Sequence, residues 1–157
     1  MTYHKHFILL SIIILFFSCQ QVEQPLSEAQ KQTIEEEVKN LAAEVFKAID
    51  LTKLDLLFPY YSDQAILIRN SEIDKSWTEH KKKVREMANQ LKIYEVVSEE
   101  FNIDVLSKDV AICYSHYNYT IIDNADNKME GRAAQTWVFN RENNKWLIRH
   151  IHISEPK

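Results

Sequence analysis

The chain has 157 residues, with 19 basic and 23 acidic side chains and a formal net charge of −4. It lacks the basic surplus that contact with a phosphate backbone requires, so nucleic acid is not an expected partner. Its only glycine is Gly131, which excludes the glycine-rich phosphate loops of Walker and dinucleotide-binding folds, and no cofactor is assigned.

The first predicted element is an export signal. Residues 1–6 carry Lys5 and no acid, and residues 7–17 are apolar apart from Ser11. Eleven residues are too few to span a bilayer core, which needs about 20, but they suit the apolar region of a signal peptide. The run closes as Leu15-Phe16-Phe17-Ser18-Cys19 and then turns polar from Gln20 onward. This ending resembles a bacterial lipobox, with Ser18 at the small position and Cys19 as its cysteine. The resemblance implies cleavage before Cys19, acylation of that residue, and a lipid anchor in the cell envelope. Gln20 stands where an aspartate often marks inner-membrane retention, so the outer membrane is the expected site. Several acyl chains make a stable anchor where one is marginal. The expected organisation is a signal peptide at 1–18, a polar tether at 19–26 and one domain at 27–155. Cys113 is then the one thiol left, so no internal disulfide is available.

Ser27-Glu28-Ala29-Gln30 reads as a capping box. Behind it Ile34, Val38, Leu41, Ala42, Val45, Phe46 and Ile49 recur at three- and four-residue spacing, which predicts one apolar stripe on a helix of about six turns. Thr52-Lys53-Leu54-Asp55 reads as a second cap, opening a short helix to about residue 58 that Pro59 ends. Residues 65–69 are a strand candidate. Ser76-Trp77-Thr78-Glu79 opens a third helix with Trp77, Val84, Met87 and Leu91 on its apolar side. Lys81, Lys82, Lys83 and Arg85 read as its solvated face. From Ile93 the period changes, and strands are predicted at 93–106, 110–122, 129–141 and 145–153, separated by Asp-, Asn- and Lys-bearing turns. Helices first and strands after predict an α+β fold, with helices on one face of an antiparallel sheet.

The last third of the chain is the most specific. A strand at 131–141 is followed by Asn143-Asn144 and then Trp146, Ile148, His150, His152 and Ser154 at alternate positions. This resembles the final hairpin of SnoaL-like proteins of the nuclear transport factor 2-like superfamily, a group with a cystatin-like α+β architecture. The association domain of calcium/calmodulin-dependent kinase II ends in the same way. Asn143-Asn144 replaces the usual Asp-Gly turn, a mild change because asparagine tolerates positive φ. The resemblance implies a curved sheet wrapped on a helix, a cone with a pocket at its open end. It also implies that enzymes of this fold use a buried acid or a His–Asp pair as general base.

Several residues are candidates for the pocket. His150 and His152 share one strand face, and His116 could join them, but no acid completes a metal ligand set, so no metal is assigned. The kinase domain resemblance places pocket arginines at the positions of Trp137 and Ile153, both apolar here. A pocket on that face would be hydrophobic, with Arg149 as its one cation, and would suit a small hydrophobic or acidic ligand. Tyr114, His116 and Tyr117 offer apolar bodies with polar tips, and Trp77 is a further candidate. No acid–base motif is evident. The leading reading is a lipid-anchored, non-catalytic module that binds a small ligand or partner. The alternatives are an isomerase-like enzyme acting on a small hydrophobic substrate, or a scaffold that dimerises through its sheet face.

Overall fold

The computed structural model describes residues 25–74, 76–98 and 100–156; the expected signal peptide, Cys19 and most of the tether lie outside them. Ser27 caps helix α1 (Glu28–Lys47) as the sequence predicts. Its hydroxyl accepts from the Gln30 amide, and its own amide donates to Gln30 Oε1 at 2.9 Å. Ile34, Val38, Ala42 and Val45 are buried along one stripe. Helix α2 (Leu54–Leu57) starts one residue later than expected, with Lys53 at its N-cap and no side-chain cap. The hydroxyl of Thr52 is instead spent on Asp50 Oδ1, at 2.6 Å. Pro59 carries the chain into a 3-10 turn, Phe58–Tyr60.

Among the described residues seven strands follow, with helix α3 (Trp77–Ala88) between the second and third: β1 (Tyr61–Arg69), β2 (Glu72–Asp74), β3 (Leu91–Ser98), β4 (Asn102–Ser107), β5 (Val110–Asp123), β6 (Lys128–Glu142) and β7 (Lys145–Ser154). The sheet order is β2-β1-β7-β6-β5-β3, with β4 also paired to β5. One predicted strand, 93–106, is two. Between the pairs Ser98↔Tyr117 and Asn102↔Tyr114 four steps on one side face three on the other, so a continuous ladder cannot form. β1 pairs with β7 in parallel, whereas the other pairings are antiparallel. Asn143 and Asn144 take φ of 50° and 63° between the paired residues Glu142 and Lys145, the conformation a two-residue hairpin turn demands.

The core lies between α1 and the concave sheet face. Ala111, Cys113, Trp137, Phe139, Ile148 and Ile151 meet the α1 stripe there, and Phe139 and Ile148 are wholly buried. A bulge separates Val138↔His150 from Phe139↔Ile148, so Arg149 is an extra residue that leaves Ile148 and Ile151 both facing inward. Lengths then create a cavity. The 20 residues of α1 span about 30 Å, whereas the 14 of β5 reach about 48 Å. The helix stops short, and the uncovered end of the sheet is roofed from the side by α3.

Candidate functional site

The cavity has a volume of about 310 Å³. Phe46 and Ile49, at the end of α1, meet Trp137, Ile151 and Ile153 of the sheet, while Val84 and Met87 come from α3 and Tyr94 and Tyr117 from β3 and β5. Phe46 holds the base of this wall by ring contacts with Trp137 at 5.3 Å and Tyr117 at 5.9 Å. Burial pushes the hydroxyls of Tyr94 and Tyr117 up from their ordinary value, so both remain protonated donors at neutral pH. The Gln135 amide also lines the cavity, and its nitrogen donates to Ser115 Oγ at 3.1 Å.

One side of the cavity is built by the β1–β2 hairpin and the first turns of α3. Asp74 pairs with Leu67 across that hairpin. Ser76 then caps α3 by accepting from the Glu79 amide at 3.4 Å, which places His80 one turn into the helix. His80 Nδ1 lies 2.9 Å from Asp74 Oδ2, and both side chains are nearly buried, at 15% and 13% exposed. The other carboxylate oxygen, Oδ1, accepts from Lys83 Nζ, one turn further on. The Lys83 ammonium holds the Asp74 carboxyl below its ordinary value, opposed by desolvation and assisted by His80. Trp77, buried at 4% exposed, stacks on the His80 ring at 5.2 Å and on Tyr61 at 4.4 Å, both at 23°. The imidazole is thus held in plane by a ring and in rotation by a carboxylate. With Nδ1 engaged, Nε2 is the nitrogen left to exchange a proton with a bound molecule.

The same hairpin carries Arg69 at the end of β1, paired in register with Glu72. Arg69 forms a two-pronged pair with Glu155, through Nε to Oε2 at 3.2 Å and Nη2 to Oε1. Asn70, at φ 52°, donates to Glu155 Oε2 at 3.1 Å and accepts from the Glu155 amide. Among the described residues no three histidine, cysteine, aspartate or glutamate side chains cluster so as to hold a metal ion.

Residues 38–157 match the SnoaL-like domain family. The chain belongs to that family. No curated protein matches. Solved structures of the same fold include a hexachlorocyclohexane dehydrochlorinase (LinA) Type2, at 11% identity and a TM-score of 0.67 over 83% of this chain and 90% of that one. They also include the association domain of CaMKII from C. elegans, at 12% identity and 0.63 over 82% and 99%. A third is a nuclear transport factor 2-like superfamily protein from Salmonella enterica, at 18% identity and 0.62 over 84% and 94%. At these identities the likeness is one of fold.

Within this SnoaL-like domain the sequence-derived candidates fall into three places. Trp137 and Tyr117 line the cavity, as does Ile153. Trp77 lies behind the wall, beneath His80. Tyr114, His116 and His152 share a separate shallow groove with Thr136 on the outer sheet face. His150 pairs with Ile66 and Val138 on that face, outside the cavity lining. Arg149, displaced by the bulge, donates to Gln64 Oε1 at 3.1 Å; the cations of the cavity are Arg69 and Lys83. Sequence reasoning passed over Arg69, Asp74, His80 and Tyr94. His80 carried a readable signal, because it sits between Trp77 and Val84 on the inward stripe of α3, where a polar ring needs a reason.

Proposed function

We propose that this SnoaL-like domain is a proton-transfer enzyme for a small, largely apolar molecule, with His80 as general base and Asp74 as its partner. The observation that carries this reading is the His80–Asp74 pair in the wall of an aromatic cavity large enough for a ligand. A weakly acidic C–H gives its proton to Nε2. The C–H bond breaks, an N–H bond forms, and the electron pair passes into an adjacent carbonyl or expels a leaving group. Asp74 fixes the tautomer of the neutral imidazole and stabilises the imidazolium that results. The imidazolium then returns the proton, to a different atom in an isomerisation or to the leaving group in an elimination. The dehydrochlorinase of the same fold supports the reading, since its name describes a removal of HCl, an elimination of the class written above. The expected lipid anchor at Cys19 would place this chemistry at the cell envelope.

A generic assay tests the base without knowledge of the natural substrate. Small cyclic ketones are incubated with the protein in D2O, and deuterium entry beside the carbonyl is followed by mass spectrometry. Wild type is expected to exceed His80→Ala and Asp74→Asn by at least about 100-fold. Ketones that bind but exchange no faster with wild type than with His80→Ala would return the domain to ligand binding without catalysis.

A further inference from the structure

The charges that line the cavity are already paired, and this bears on what can enter. Arg69 would be the natural seat for a ligand carboxylate, but both prongs of its guanidinium face Glu155. Lys83 is taken by Asp74. The acids are spent on the same partners, apart from Glu72 at the exposed rim. A ligand anion would meet a carboxylate beside each of these cations, and a ligand cation would meet Arg69 and Lys83. Either ion would leave water for a wall that is otherwise aromatic and aliphatic, with no unpaired opposite charge inside the rim to replace its hydration. We propose that the cavity selects an uncharged ligand of one or two rings bearing an acceptor oxygen, bound by the phenol donors Tyr94 and Tyr117 and excluded from ionic form by the Arg69–Glu155 and Lys83–Asp74 pairs. The volume, about 310 Å³, is at the small end for ligand pockets. This narrows the acidic or hydrophobic ligand expected from sequence to the neutral class. It rests on this cavity being the ligand site of the proposed enzyme, but not on His80 being its base.

Three probes of one shape decide it: 2-acetylnaphthalene, 2-naphthoate and 2-naphthylmethylammonium, titrated at pH 7 into the purified protein and followed by calorimetry. The ketone is expected to bind at least tenfold more tightly than either ion. Glu155→Gln frees Arg69 and should narrow the gap between ketone and naphthoate at least threefold, while a melting curve reports that the variant is folded. Should it not fold, Arg69→Gln with Glu155→Gln removes the pair together and should narrow the gap between ketone and ammonium at least threefold, because the cation then meets Lys83 without Arg69. An ion that binds wild type as tightly as the ketone overturns the proposal. So does failure of all three to bind, or a ketone-to-naphthoate ratio unmoved in folded Glu155→Gln. Binding is read here without turnover, so a His80→Ala variant that exchanges as fast as wild type would remove the base and leave this selectivity standing.

Discussion

Tyr119 lies flat across Gly131 on the neighbouring strand, so closely that a β-carbon at 131 would stand 2.3 Å from the phenol oxygen. The one glycine of the chain is therefore a place where a ring covers backbone, on the same strand face as Tyr117 and Gln135. Gly131→Ala is expected to force the ring aside and cost about 1 kcal/mol. In a Tyr119→Ala background the same change should cost nothing or stabilise, because alanine suits a strand better than glycine. Urea unfolding of the four proteins measures the coupling; equal costs in both backgrounds would show that the ring does not depend on the glycine.

Acid should weaken the domain through Glu155 and Asp74. Arg69 holds the first below its ordinary 4.5, and Lys83 holds the second below 3.8. A carboxylate with a lower value folded than unfolded stabilises above its unfolded value, and that contribution is lost as pH falls through the folded one. Glu155→Gln is expected to cost about 1 kcal/mol at neutral pH, a modest figure because the Arg69 guanidinium is partly solvated. The cost should shrink at an acid pH well below 4.5, as the wild-type carboxyl is itself protonated. Unfolding curves at both pH values check the sign; a penalty that grows in acid would contradict it.

Cys113 should be inert while the protein is folded. It is 1% exposed, and burial pushes its thiol up to about 12, so almost no thiolate exists near neutrality. Iodoacetamide at pH 8 is expected to leave it unlabelled for hours in buffer and to label it within minutes in denaturant. Rapid labelling of the native protein, followed by mass spectrometry, would mean that the sheet opens around β5.

The reading of Cys19 as the lipid site predicts that Cys19→Ala abolishes both acyl labelling and membrane fractionation in the native host. A variant that still labels and still sediments with membranes would point to a different anchor.

What could be read ahead of the structure depended on distance along the chain. The Ser27 and Ser76 caps, the α1 stripe and the Asn143-Asn144 turn are local patterns, and each lies where local physics put it. The parallel pairing of β1 with β7 is a choice of partner about 85 residues away, and alternation of side chains carries no sign of strand direction. β2 has three residues, too few to show a period. Its Asp74 thus carried no mark, although the histidine it orients sat on a legible helical stripe. The Arg69–Glu155 pair spans 86 residues and was invisible for the same reason. Arg149 failed as a pocket cation because a single bulge turned strict alternation out of phase.

The mismatch between helix α1 and strand β5 has a bearing on supply as well as on shape. The chain enters the domain at Ser27, and the cavity lies beyond Phe46 and Ile49, at the other end of a helix about 30 Å long. If Cys19 is embedded in a bilayer, the tether fixes the near end of that rod and leaves the cavity at the far end. With that rod held upright, the cavity's contents would be gathered from the surrounding fluid rather than drawn out of the lipid, and a membrane-dissolved compound would have to leave the bilayer before it could be bound.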